Sequence, residues 1–210
     1  MFTKSRTDDS SPALWIGTKG GLLRFKHGRF TLYDERSGLP IRIIWKVLET
    51  TSPGGLKTLW LGTWGGSVVR LSPNNWRAFD ATTGMPSGAV TSVLLTLDDS
   101  GAEVIWAGTS DGGLARLSSD RFVPVPLPEA LSHSIVFSLL ETRPQDGTLS
   151  LWVSSFGGGI GRLENGQWTV MDRATLPNQR VYQLIKTKPD NSSSVVRAGT
   201  DGGLGRFEHG

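Results

Sequence analysis

The chain contains no cysteine. Disulfides and thiolate metal sites are excluded, and no redox compartment can be read from thiols. It also lacks any run of about 18 apolar residues, so no stretch reads as a membrane-spanning helix. Its opening, MFTKSRTDDSS, is charged, with no apolar stretch behind it, and does not read as a signal peptide. Charge of one sign is scarce: 22 basic residues face 19 acidic ones, for a net charge of +3. The basic residues are dispersed rather than clustered, which argues against a nucleic-acid footprint.

Catalytic signatures are equally thin. The three histidines, His27, His133 and His209, stand far apart. No H-E-x-x-H, G-x-S-x-G or Walker-type loop occurs. The string GGGIGRLENG lacks the third glycine of a dinucleotide loop and falls between two strand candidates rather than before a helix. Asp98 and Asp99 lie in a polar turn and read as a solvated pair, not a metal site. No cofactor is expected. Asn191-Ser192-Ser193 matches a glycosylation acceptor, a short pattern of low specificity.

What the chain has in abundance is glycine, 27 residues, and tryptophan, 8 residues. Both recur with one beat. The segments LWIGT (Leu14–Thr18), LWLGT (Leu59–Thr63), IWAGT (Ile105–Thr109), LWVSS (Leu151–Ser155) and VRAGT (Val196–Thr200) place Trp15, Trp60, Trp106, Trp152 and Arg197 at steps of 45, 46, 46 and 45. A basic column follows as Arg24, Arg70, Arg116, Arg162 and Arg206. An aromatic column follows as Phe30, Trp76, Phe122 and Trp168. A turn recurs at Pro40, Pro86 and Pro177, with Leu131-Ser132 in its place in the third copy. A period of this size fits one propeller blade.

Each unit offers four strands. Apolar runs (Ile43–Leu48, Val90–Leu97, Ile135–Leu140, Val181–Ile185) suit an innermost strand buried on both faces. The tryptophan strand, a Gly-Gly turn, the arginine strand and a more polar outer strand follow. Glycine pairs suit tight hairpins because glycine reaches positive φ without steric cost. The expected fold is all-β: a β-propeller of about five four-stranded blades, incomplete or part of a larger propeller. The units run over residues 13–39, 40–85, 86–131, 132–176 and 177–210, after an N-terminal tail, 1–12. This reading lacks an inner strand for the first blade and an outer strand for the last. Phe2–Ser5 could lend the missing outer strand. Alternatively the array continues elsewhere, or two chains complete each other by self-association through an unpaired edge.

The unit LWIGTKGGLLRFKHGRFTLYDERSGLP resembles the two-component-regulator propeller repeat, whose core is Leu-Trp-(Ile/Val)-Gly-Thr. A Gly-Gly-Leu turn, an Arg-Phe pair, an aromatic strand and a Gly-Leu-Pro turn follow in that repeat. The resemblance extends over residues 14–210 and departs at Arg197 and at Ser154-Ser155. It implies a non-catalytic, ligand-sensing, extracytoplasmic domain of a bacterial receptor, on the periplasmic side. A kinase or cyclase would be carried elsewhere, and membrane contact would come only through flanking regions.

The repeated columns read as structural. The tryptophans should wedge between blades, and the arginines should make one recurring contact, with Asp34, Asp80 or Asp172 on the following strand as candidate partners. Function is sought where copies differ, on the loops that open around the central channel. Those positions are Lys19, Trp64, Asp111, Phe156 and Asp201 in one loop set, and Arg42, Ser87, His133, Gln179 and Arg180 in the other. Exposed aromatics with a few charges suit a small polar ligand or glycan fragment. A protein-interaction scaffold on the same face, and a propeller lyase or hydrolase using His133, are the alternatives.

Overall fold

The computed structural model describes residues 2–6, 12–72, 75–143, 147–172, 174–187 and 195–208. His209 and the Asn191-Ser192-Ser193 motif lie outside these residues. The described chain forms five antiparallel sheets. The first holds β1 (Phe2–Arg6), β2 (Pro12–Thr18), β3 (Gly21–Lys26) and β4 (Arg29–Tyr33). The second holds β5 (Ile44–Thr51), β6 (Lys57–Thr63), β7 (Val68–Ser72) and β8 (Asn75–Phe79). The third holds β9 (Val90–Leu97), β10 (Glu103–Thr109), β11 (Leu114–Ser118) and β12 (Arg121–Pro124). The fourth holds β13 (Val136–Thr142), β14 (Ser150–Ser155), β15 (Ile160–Glu164) and β16 (Gln167–Met171). The fifth has three described strands, β17 (Val181–Thr187), β18 (Val195–Thr200) and β19 (Gly203–Glu208).

Strands pair in chain order within each sheet. The first strands of successive sheets lie beside one another, β1 by β5, then β9, β13 and β17. These are blades fanned about an axis, so the propeller expectation holds. One expectation is corrected. Phe2–Arg6 does not close the last blade; it pairs antiparallel with β2, Thr3 opposite Trp15, and supplies the inner strand of blade 1. Its neighbour in space is the strand nearest in sequence, because a hairpin partner is the cheapest one to reach.

Each boundary between blades is an apolar layer. Trp15, Leu22 and Leu39 of blade 1 pack on Val47, Leu61 and Val69 of blade 2. Trp60, Val68 and Phe79 meet Val93, Ala107 and Phe122. Trp106 and Leu114 meet Leu139 and Val153. Trp152 and Ile160 meet Leu184 and Ala198. The tryptophan column is therefore a wedge between blades, as its repetition implied. Leu131, where the third copy lacks its Gly-Leu-Pro turn, is fully buried like Leu39 and so keeps that column's packing role.

Two local devices make the blades. In β6, β10 and β14 the indole N–H donates to a threonine hydroxyl ten residues earlier on the inner strand. The distances are 3.2 Å for Trp60 to Thr50, 3.0 Å for Trp106 to Thr96 and 2.8 Å for Trp152 to Thr142. Arg197 makes the same contact to Thr187, at 2.6 Å, which accounts for its tolerance in the tryptophan column. At the strand ends a hydroxyl holds the glycine turn: Thr63 Oγ1 donates to the Ser67 carbonyl and accepts its N–H. Ser155 keeps that hydroxyl in the fourth copy, where it accepts from Gly158 N–H.

Glycine is required where chains approach closely. A Cβ on Gly108 would lie 2.4 Å from the Val136 side chain of the next inner strand. Gly84, at φ +92°, would put one 2.0 Å from the Phe122 carbonyl oxygen, so both space and conformation exclude a side chain there.

The arginine column is a second correction. Asp34, Asp80 and Asp172 do not pair with it. Their carboxylates accept backbone N–H groups of their own turns, from Arg36, Thr82 and Ala174. Arg24, Arg70 and Arg162 instead lie over the rings of Trp15, Trp60 and Trp152, at 5.7, 5.8 and 5.6 Å. Short acidic side chains in a turn satisfy the nearest backbone donors first, and the guanidinium rests on the ring face, with Arg70 and Arg162 also ion-paired to Asp120 and Glu164 at 3.4 Å each.

Trp152→Ala is expected to cost about 3–5 kcal/mol in urea unfolding, as a buried aromatic truncated to a cavity. Thr142→Val should cost about 1–3 kcal/mol by stranding the indole N–H. A Trp152→Ala variant as stable as the parent would contradict the wedge.

Candidate functional site

The loop between the second and third strands of a blade and the connection into that blade's first strand meet at one end. Backbone bonds fix this: Trp64 N–H donates to the Ile43 carbonyl at 3.0 Å, Ser110 to Ala89 at 2.8 Å, Phe156 to Ile135 at 3.0 Å and Asp201 to Arg180 at 3.4 Å. The two loop sets singled out in the sequence therefore share a face. The third-blade member of the first column is Ser110, not Asp111. Asp111 sits one residue further, with its carboxylate against Gly88 and accepting from Ser110 Oγ at 3.0 Å.

A column that the sequence reading placed in the core joins them. The inner strands of blades 2, 4 and 5 open with a register irregularity: between Ile44 and Lys46 in β5, Val136 and Ser138 in β13, and Val181 and Gln183 in β17. β9 has its counterpart opposite Gly108/Thr109. A bulge leaves one residue out of the ladder and re-aims its side chain. The residues so released are Trp45, Thr91, Phe137 and Tyr182. The expectation that these strands are buried on both faces holds through the start of β9 but fails in β5 and β17, where Trp45 and Tyr182 are each 43% exposed.

The result is two aromatic clusters. On blade 2, Trp45 and Trp64 lie 5.4 Å apart, and Trp64 is 57% exposed. On blades 4 and 5, Phe137, Phe156 and Tyr182 form a triangle with centroid distances of 5.8, 5.5 and 5.7 Å. Arg180 lies over the Phe156 ring at 5.0 Å and is paired with Asp201 at 3.4 Å. The phenol of Tyr182 has its pKa raised above the ordinary value, first by hydrogen bonding with the Asp201 carboxylate, then by burial and by that carboxylate's negative charge. Blade 3, between the clusters, has Ser110 and Asp111 at this end, and its Thr91 is buried, donating to the Val136 carbonyl at 2.6 Å.

Beside the triangle a depression of about 560 Å³ is lined by Gly157, Leu176, Pro177, Asn178, Gln179 and Arg180. Gly157 belongs to the glycine turn of blade 4 and the other lining residues to the connection into β17. Burial lowers the pKa of Lys46, next to Trp45.

The structure thus gathers Phe156, Arg180 and Asp201 into one cluster, and Gln179 lines its depression. It seats Trp64 in the other cluster. Lys19, Arg42 and His133 are exposed and stand outside both. Trp45, Phe137 and Tyr182 were missed. Their signal was present: in the register of the repeat, positions 45, 91, 137 and 182 form one column, with three aromatics in it. Among the described residues no three His, Asp or Glu side chains gather as a metal site.

The phenol of Tyr182 is expected to titrate at higher pH than that of an ordinary tyrosine. Its folded pKa is raised, so its share of stability is complete below the unfolded pKa and is lost as pH rises through the folded one. Asp201→Asn should bring the titration back toward the ordinary value. With only two tyrosines in the chain, phenolate absorbance in a Tyr33→Phe background reads this directly. An unchanged titration in Asp201→Asn would contradict the pairing.

No family model matches the chain, and no curated protein matches it in sequence. Solved structures resemble it in fold. The extracellular domain of the hybrid two-component system BT3049 from B. thetaiotaomicron is 23% identical with a TM-score of 0.69, over 97% of this chain and 26% of that one. BBS1N, in complex with ARL6DN, is 11% identical with a TM-score of 0.66, over 98% and 63%. A thermostable family-43 glycoside hydrolase is 11% identical with a TM-score of 0.52, over 100% and 92%. The chain spans about a quarter of the length of the first of these. At such identities the likeness carries the fold, an all-β blade array, and that is what this chain shares with them.

Proposed function

We propose that this propeller is a non-catalytic ligand-sensing module of a two-component-type receptor, acting on the extracytoplasmic side of a membrane. The ligand is a small polar molecule or glycan fragment held on the channel face. The observation that carries this reading is the pair of aromatic clusters, exposed Trp45–Trp64 and half-buried Phe137 and Phe156 with exposed Tyr182. They are built from the columns in which blades differ, while the repeated columns go into packing. Aromatic plates flanked by a few fixed polar groups suit a ligand with apolar ring faces and hydroxylated edges. Arg180, Asp201 and the amides of Asn178 and Gln179 supply such groups beside the second cluster.

The fold likeness to the extracellular domain of a two-component system over nearly the whole chain supports a receptor setting. The resemblance of the repeat unit to two-component-regulator propellers supports it independently. Ligand binding here would bias the packing of neighbouring blades, which share the β13–β17 boundary beneath the triangle.

A panel of oligosaccharides and small polar metabolites, screened by thermal shift and followed by calorimetry, tests the reading. A binder should raise the melting temperature in proportion to its saturation of the folded state. Trp64→Ala combined with Phe156→Ala should weaken it at least tenfold, about 1.4 kcal/mol, without lowering the melting temperature of the free protein by more than a few degrees. A ligand whose affinity ignores both substitutions would move the site elsewhere.

A further inference from the structure

On the inner strands, positions 46, 92, 138 and 183 form one column of the repeat. In blade 3 the Ser92 hydroxyl donates to the Val136 carbonyl of the next inner strand at 3.3 Å. In blade 4 the Ser138 hydroxyl accepts the Leu184 N–H at 3.2 Å. Both serines are buried, and both tie an inner strand to the one after it. Blade 2 has Lys46 in this place. Its Cβ lies 3.1 Å from where a Cβ on Gly62 would stand, and that same point is 2.7 Å from the Val90 carbonyl oxygen of β9. The lysine therefore starts in the gap between β5 and β9, but its four-carbon stem overreaches a contact that suits serine.

Among the described residues the Lys46 ammonium has no hydrogen bond and no ion pair. Burial lowers its pKa, as for any cation drawn out of water without a counter-charge. Trp45, turned out of the ladder by the bulge, is its chain neighbour. Arg42 is exposed and likewise unpaired among the described residues. It stands outside the ring pair but directly precedes Ile43, whose carbonyl accepts the Trp64 N–H. Two uncompensated cations thus flank the Trp45–Trp64 rings. Carboxylates of the same neighbourhood are engaged elsewhere: Glu49 of β5 holds Lys57 at 3.2 Å, and Asp111, on the blade 3 turn, accepts from Ser110 Oγ at 3.0 Å. The cluster on blades 4 and 5 differs, since Arg180 there is balanced by Asp201 at 3.4 Å.

We propose that the Trp45–Trp64 pair holds a sugar ring bearing an acidic group, with Lys46 as its counter-ion and Arg42 as a second contact at the rim. The inference rests on the ligand-binding reading above and narrows it for this cluster alone. An unpaired, half-buried ammonium costs free energy in the empty protein. An anion seated against it offsets that cost while the ring lies on the indole faces. Lysine is a compact point charge rather than a directional fork, so a carboxylate and a phosphate satisfy it alike.

The test uses glucuronate, glucose 6-phosphate and glucose, probes with one ring and different charge. Binding is followed through the indole N–H resonances of Trp45 and Trp64 in the isotope-labelled full chain. At least one acid is expected to shift both resonances and to bind about tenfold or more tighter than glucose; which acid does so tells carboxylate from phosphate. Added salt should weaken that binding. Lys46→Ser installs the residue that blades 3 and 4 already use, so the fold should survive while the preference for the acid disappears. Arg42→Gln, a change at an exposed residue, should reduce the preference and supplies the same readout if Lys46→Ser does not fold. Glucose bound as tightly as both acids, resonances that neither acid moves, or a preference unchanged in both variants overturns the proposal. A neutral saccharide that binds at the Phe137–Phe156–Tyr182 cluster under any of those results leaves the wider ligand reading standing, whereas a thermal-shift panel without a single binder removes both.

Discussion

The structure hangs on a buried indole held from two sides. In blades 2, 3 and 4 a tryptophan at the middle of the second strand donates to a threonine on the inner strand, and in blades 2 and 4 an arginine of the third strand covers its ring. The ring also fills the boundary with the next blade. One side chain thus joins three strands of its own sheet and a neighbouring sheet. A buried indole costs free energy unless its N–H is paired, and in blades 2, 3 and 4 the threonine removes that cost. Arg197 and Thr187 show the rule from the other direction: the wedge can change identity provided that the bond to the inner strand is kept.

Because each boundary involves only adjacent blades, stability is close to a sum of unit and nearest-neighbour terms. That leaves positions outside the boundary free to differ. The bulge at the start of the inner strands of blades 2 to 5 exploits this freedom. It takes one residue of each out of the ladder without disturbing the wedge beneath it, and puts Trp45, Phe137 and Tyr182 beside the variable loops. Thr91 occupies the same column in blade 3 but is buried, its hydroxyl donating to the Val136 carbonyl, so the aromatic patches of blade 2 and of blades 4 and 5 are separated.

The charged groups on this face are organised by the same geometry. Asp201 sits at the turn of blade 5, within reach of both Arg180 and Tyr182 from the strand entry beside it. Arg180 in turn lies on the Phe156 ring of blade 4. The cluster therefore straddles a blade boundary, and any molecule bound there would touch two rigid units at once. The blade 2 pair does not: Trp45 and Trp64 belong to one blade.

Spacing of Trp15, Trp60, Trp106 and Trp152 was enough to name the fold, the strand order within a blade and the core role of the tryptophans, since a column repeated in register can be serving only the repeat. That the two loop sets share one end could also be read, because hairpin connectivity dictates which turns lie together. Three matters lay beyond the linear pattern. The partner of Phe2–Arg6 depended on which open sheet edge the segment met, and several edges were compatible with its composition. The arginine contacts were settled by competition between a ring face and turn carboxylates already occupied by backbone N–H groups. Trp45, Phe137 and Tyr182 read as core because an apolar run looks alike whether or not a bulge turns one residue out of it; a single extra residue in the ladder, visible only once strands pair, moves that side chain out of the ladder toward the variable loops.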